Sequence, residues 1–329
     1  MRFIILPALL LVALVVPNLH AQSSQLEKKQ MAVVRFDIDV DKIRNSEMSK
    51  TFDLESKIQE ATSRNSDNLD PAKVIRFYGG SSAPESIKEA QGFMKGEGSM
   101  PVEFFARVEL VDPEATDEAM KKIQEKGEAV EIGGKTFYKS ADEDAPTGLL
   151  AHRVDSTTIE MGTETYLTRS DRKVYSDGLD AAFKKAPDEA VRIAMDLEGA
   201  PELVAELQKM AEESGPPSFA ALYELIGAIS DMHITFDMAG ANLLTIGVTG
   251  KSESQAEDLE GGLGSLIGMG QMAGMVQLGQ IKQVSPDLAD KAQKMLEALK
   301  ATREGKDVSI KLIHPEGLAD AIKGMASGG

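Results

Sequence analysis

Two short segments of this chain open and close alike. Val34-Arg35-Phe36-Asp37-Ile38-Asp39-Val40 and Val191-Arg192-Ile193-Ala194-Met195-Asp196-Leu197 share a Val-Arg-apolar start and an Asp-apolar finish in one register. Each is followed by helical sequence and then by two β-rich runs. A chain that repeats an order of elements in this way is constrained to build one mid-sized unit twice. Its helices and hairpins lack regular strand–helix–strand alternation, which argues for an α+β fold over a doubly wound one. The expectation is two tandem pseudo-repeated units, each a mostly antiparallel sheet with helices packed on one face. The first spans 31–186 with insertions, the second 187–329. Pairing of their second halves edge to edge would join them into one larger sheet and hide sticky edges.

Ahead of the first unit, Met1-Arg2 is a short basic start, Phe3–Val16 is apolar, and Pro17–Ala21 is a cleavage region. Residues 1–21 therefore read as a secretory signal peptide and 22–30 as a frayed polar N-terminus. The apolar run falls short of the ~20 residues that span a bilayer, which disfavours the rival reading, an uncleaved anchor helix. Export to a periplasmic or extracellular location follows. The chain has no cysteine. That excludes lipid attachment through cysteine, disulfide bracing, thiol nucleophiles and thiolate metal sites. A formal charge of −17 repels nucleic acid and anionic lipid head groups alike.

Along the chain, alternation predicts a strand at 31–38, with Ala32, Val34, Phe36 and Ile38 on one face. A helix is expected from Asp41 to Thr62, then strands at Val74–Tyr78 and Val102–Leu110. Asp112-Pro113 supplies an N-cap and a proline at the first helical position. Gly133-Gly134 marks a two-residue hairpin between Ala129–Ile132 and Lys135–Lys139. Further strands are expected at Leu149–Arg153 and Ser156–Met161. In the second unit, Ala190–Leu197 is a strand, Pro201–Glu213 and Ser218–Ser230 are helices, and Met232–Asp237 with Leu243–Thr249 is a hairpin. Helices at Ser252–Gln283 and Pro286–Thr302, a strand at Val308–Ile313 and a helix at Pro315–Met325 close the chain.

Reactive motifs fail one after another. Asp37, Asp39 and Asp41 alternate as in a calcium loop, but Lys42 and Met48 stand where its glycine and bidentate glutamate belong. They read instead as the polar face of a strand end and a helix cap. Gly133-Gly134-Lys135-Thr136 lacks the earlier glycine and the following helix of a phosphate loop. Ser170-Asp171-Arg172-Lys173 fits Ser-x-x-Lys without its companion motifs. The histidines His152, His233 and His314 lie far apart in sequence, each in or beside a strand, and read as sheet-face or core histidines. No catalytic residue, metal ligand or cofactor site is assigned.

The most distinctive local stretch is 261–281. None of its residues is charged, seven are glycine, and Met269, Met272 and Met275 are spaced along it. Gly264/Gly268 and Gly270/Gly274 follow the small-x-x-x-small rule for close helix approach. Each glycine costs about 0.8–1.0 kcal/mol relative to alanine inside a helix, so close packing must compensate. The leading expectation is a buried helix. The alternatives are a methionine-lined groove for a protein partner, with Met269, Met272 and Met275 as the contact residues, and insertion into a membrane.

The export signal, the paired openings at Val34 and Val191, and the Met/Gly helix together resemble planctomycete-type exported bacterial proteins of unknown function with duplicated α+β units. The resemblance implies a fold and an export route and brings no site residue with it. The functional expectation is a non-catalytic exported scaffold or binding protein of the cell envelope, its partner a protein or an envelope component. The rival is an extracytoplasmic hydrolase with a dispersed carboxylate or histidine site.

Overall fold

The structure, a computed structural model, describes residues 32–53, 71–82, 103–140, 149–168, 175–205, 208 and 225–327. In chain order, β1 (Val34–Asp39) leads into α1 (Val40–Asn45) and α2 (Glu47–Phe52). Then come β2 (Val74–Ser81), β3 (Phe104–Leu110), α3 (Pro113–Lys126), β4 (Gly127–Ile132), β5 (Lys135–Ser140), β6 (Leu149–Arg153) and β7 (Thr158–Thr163). Two helices follow, α4 (Glu164–Leu167) and α5 (Asp177–Lys185), ahead of β8 (Val191–Asp196), β9 (Ile229–Phe236) and β10 (Asn242–Gly250). The chain closes with α6 (Glu253–Val284), α7 (Pro286–Ala298), β11 (Ala301–Glu304), β12 (Asp307–Ile313) and α8 (Leu318–Ser327).

These strands form one sheet of order β11-β12-β10-β9-β8-β1-β2-β3-β7-β6-β5-β4, and its described pairings are antiparallel. The joint is not between the second halves of the two segments. It lies between their opening strands, β1 and β8, in the register Val34↔Met195, Phe36↔Ile193 and Asp37↔Arg192. Both strands alternate strictly. Val34, Phe36, Ile193 and Met195 enter one apolar core, and Asp37 meets Arg192 on the reverse face. The two opening strands thus match each other on both faces. Outward from this seam the order is β2-β3-β7-β6-β5-β4 on one side and β9-β10-β12-β11 on the other. The edges are short and charged, with Glu128 and Glu131 on β4 and Arg303 and Glu304 on β11, which discourages further strand addition.

Helices cover both faces of the sheet, not the one face expected, because β3 and β8 also carry apolar side chains, Phe105 and Ala194, on the reverse side. On the first, α3 and α6 bury Ala115, Ala119, Met120, Ala256 and Leu259 against the core that holds Phe36, Val108, Ile159 and Val308. On the second, α4 and α5 set Tyr166, Leu179, Ala182 and Phe183 over Ala194 and Phe105 in a smaller cluster. Glycine makes room where aromatic rings and backbone crowd the sheet. A Cβ on Gly79 would sit 2.1 Å from the Phe105 carbonyl oxygen and 2.9 Å from Phe36 Cζ. Phe36 can therefore stack on Phe77 at 5.2 Å.

Local signals behave as their chemistry requires. Asp112 accepts from the Ala115 amide at 2.7 Å with Pro113 at the helix start. Gly133 and Gly134 both take positive φ, 60° and 77°, the demand of the tightest hairpin turn. Ser252 caps α6 through the Gln255 amide. Several boundaries differ from expectation. The helix expected from Asp41 to Thr62 breaks at Ser46, whose extended backbone ends α1 and whose hydroxyl caps α2 by accepting from the Ser49 amide. The helix expected to reach Ser230 stops by Ala228, because Ile229 and Ser230 already pair as β9. The helix expected to reach Thr302 ends at Ala298, and 301–304 become β11, folded back on β12 by a turn with Gly305 at φ 59°. The expected helical stretches at 54–62 and 209–224 lie outside the described residues.

Candidate partner-binding face

Helix α6 is anchored along one side. Ala256, Leu259 and Leu278 are buried, and a Cβ on Gly262 or Gly274 would collide with Leu225 (2.3 Å) or Leu296 (2.8 Å). Gln271 Nε2 donates to the backbone carbonyls of Leu296 at 2.5 Å and Leu299 at 2.9 Å, tying α6 to the end of α7. The opposite side is in solvent. Met272 is 68% exposed and Val276 72%, with Met269 at 45% and Met275 at 43%. Gly261, Gly264, Gly268, Gly270 and Gly279 have nothing within 4 Å of where a Cβ would stand.

The expectation of a buried helix is therefore corrected. Close packing accounts for two of the seven glycines, and the Gly264/Gly268 pair faces outward. The hydropathy of the stretch could not reveal this, because methionine and glycine suit an inner and an outer face equally. The three methionines named from the sequence share this open side. It is uncharged from Gly261 to Ile281, in a chain that is elsewhere densely charged.

The reverse face of the sheet carries a row of polar side chains that the sequence did not connect. Strand register sets Arg192, Asp37, Tyr78, Arg107, Glu160 and His152 side by side across β8, β1, β2, β3, β7 and β6. Asp37 is buried and accepts from Arg76 at 2.7 and 2.6 Å and from Arg192. Burial alone would raise its carboxyl, but the two guanidinium groups outweigh that and hold it below its ordinary value. Glu160 is held low in the same way. Burial opposes it, while His152 Nε2 at 3.0 Å and Arg107 Nε at 2.7 Å prevail. Burial raises the Tyr78 hydroxyl between these two groups, and Arg76 lies over its ring at 5.2 Å. Every charge in the row is matched, so the row reads as an internal brace and not as a reaction centre.

A second polar cluster joins α5 to the β9–β10–β12 region. Lys185 Nζ donates to Thr249 Oγ1 at 2.7 Å and to Asp307 Oδ1 at 2.9 Å. Thr249 Oγ1 also lies 2.8 Å from Asp231 Oδ1 and 2.7 Å from Asp307 Oδ1. Burial lowers the neighbouring His233, whose ring lies across Gly247 so closely that a Cβ there would meet Cε1 at 2.1 Å. The Thr249 hydroxyl accepts from Lys185, and its single proton is shared between the Asp231 and Asp307 carboxylates.

The other sequence candidates are dispersed. Asp37 belongs to the arginine pair, Asp39 caps α1 by accepting from the Lys42 amide at 2.8 Å, and Asp41 pairs with Arg44 at 2.8 Å. His152 is on β6 and His314 just past the end of β12, strands eight positions apart in the sheet order, or roughly 40 Å at the usual strand spacing. Gly133–Thr136 is a hairpin turn, and Ser170 with Asp171 lies outside the described residues. Among the described residues, no group of three or more histidine, aspartate or glutamate side chains is arranged to hold a metal ion. Among the same residues, no helix is long and apolar enough to cross a membrane.

No protein-family model matches the chain, and no curated protein matches it. Among solved structures it is similar to the treponemal protein TP0453. Against crystal form III the TM-score is 0.38 at 11% identity, covering 93% of this chain and 100% of that one. Against crystal form I the TM-score is 0.39 at 13% identity, covering 93% and 98%.

Proposed function

We propose that this chain is an exported, non-catalytic binding or scaffold protein of the cell envelope, docking its partner on the open side of α6 through Met269, Met272 and Met275. One observation carries the reading: an uncharged methionine, valine and glycine surface left in solvent on a helix anchored along its other side. Five open glycines cost on the order of 4–5 kcal/mol of helix stability against alanine, with no packing return among the described residues. A surface of that kind is retained for what it meets. Flexible methionine side chains suit it to contact. The architecture that accompanies this reading is the tandem pair of pseudo-repeated units, 31–186 and 187–329. The matching strand order outward from the β1–β8 seam supports it.

A photo-crosslinking residue at position 272 of the full chain, expressed in its own cells, should capture a polypeptide. The same residue at Lys121, exposed on α3, should not. Equal capture from both positions, or from neither, would remove α6 as the docking face.

A hydrolase remains the second reading, favoured only by the Thr249–Lys185 contact. It requires activity on simple ester or amide substrates that Thr249→Val abolishes while leaving the melting curve in place. A wild-type chain inert on such substrates removes it.

A further inference from the structure

We propose that the open side of α6 fits a second copy of this chain, docked antiparallel about a two-fold axis near Gly270. The inference rests on the reading of α6 as a docking face and names its occupant. At 100° per residue, Gly261, Gly268, Met272 and Gly279 run down the middle of the exposed stripe. Glu257, Gly264, Met275 and Lys282 fall on one flank, and Asp258, Ser265, Val276 and Gln283 on the other. Two antiparallel helices related by a two-fold bring like flanks together.

With the axis near Gly270, Met272 of one copy enters the gap at Gly268 of the other, and Met275 enters the gap at Gly264. Gly261 meets Gly279, Val276 meets Ser265, Asp258 meets Gln283, and Glu257 meets Lys282. Every gap is one that this chain leaves open, with nothing within 4 Å of a Cβ at Gly261, Gly264, Gly268 or Gly279. Every side chain offered to a gap is exposed. A parallel arrangement fails on the same residues, because it brings opposite flanks together and so sets Glu257 against Asp258, and sets glycine against glycine along the middle of the stripe.

Charge adds to shape. Two molecules each of formal charge −17 oppose one another over most of their surfaces. The 261–281 stretch is where they can touch without opposed charge, and each end of it carries one acid–base match. From Glu257 to Gln283 the strip is about 40 Å long. At a helix width of about 10 Å it buries on the order of 800 Å² between two copies, the range of weak, concentration-dependent association.

Sedimentation of the chain as isolated, from micromolar to a few hundred micromolar, should show a reversible monomer–dimer equilibrium. Glu257→Lys and Lys282→Glu each disturb two symmetry-related pairs and should each weaken it about tenfold. The double variant should restore it. Gly268→Leu fills the gap that receives Met272 and should abolish the dimer, while the fold, checked by its melting curve, holds, because that position is open in the monomer. Since the native chain has no cysteine, an equimolar mixture of Gly261→Cys and Gly279→Cys should form an intermolecular disulfide under mild oxidation, and neither variant alone should. A chain monomeric throughout, a double charge variant as weak as the singles, or cross-linking of Gly261→Cys with itself would each overturn the proposal. A monomer that still cross-links another polypeptide from position 272 overturns self-docking but leaves the docking face standing. A monomer that instead floats with phosphatidylcholine vesicles overturns both.

Discussion

At the scale of single residues, Asp37 is a carboxylate held by two guanidinium groups at once. It is buried at the centre of the sheet, and its partners Arg76 and Arg192 reach it from β2 and β8. Removing one member of a buried charge group leaves the others unsatisfied, so Asp37→Ala should lower unfolding free energy by about 3 kcal/mol. Asp37→Leu combined with Arg192→Met should recover part of that loss in urea melts. The sign of the pH effect follows from the direction of the shift. A carboxyl lowered in the folded state contributes stability that is present above its ordinary 3.8 and is lost as pH falls through its lower folded value. Acid melts of Asp37→Asn should therefore lack a component of the wild-type loss below pH 4. The sequence presented Arg35, Asp37 and Arg192 as parts of a repeated motif. It could not show that two copies of the motif bond to each other, since that depends on β1 and β8 being neighbours.

At the scale of elements, caps and turns were legible because their causes are local. Asp112-Pro113, Gly133-Gly134 and Ser252 act on backbone groups within a few residues. Helix α6 was legible as a helix and not as a surface, because which side of it is covered depends on how β10, β11 and α7 fold back on it, and not on its own sequence. The end of the β8–β9 ladder holds another non-local device. Glu189, just before β8, hydrogen-bonds with Asp237, just after β9. Burial first, then that hydrogen bond and the repulsion behind it, push the Glu189 carboxyl up to about 7. A raised acid stabilises the fold below its unfolded value of 4.5, and the contribution is lost as pH rises through 7. Amide exchange at Val191 and Phe236, the last ladder pair, should accelerate between pH 5 and 8 beyond the intrinsic increase. Glu189→Gln should remove the excess.

At the scale of the whole molecule, one sheet running through both segments makes them one folding unit. The Asp37–Arg192 pair and the β1–β8 ladder both cross the seam. Calorimetry of the full chain should show one cooperative transition, and two separated transitions would contradict a shared core. Residues 187–329 expressed alone should associate or precipitate, because β8 would present a bare apolar edge to solvent.

The sequence by itself determined the alternation of the strands, the helix starts, the tight turns and the absence of cysteine chemistry. Each depends on neighbours in the chain and on side-chain type alone. Tertiary structure decided which strands meet at the centre, which charges are braced across them and which side of the glycine helix remains open. Those outcomes are set by contacts between separate elements, from a few tens of residues apart at α6 to more than a hundred and fifty at the β1–β8 seam, where one surface is covered only because another lies over it.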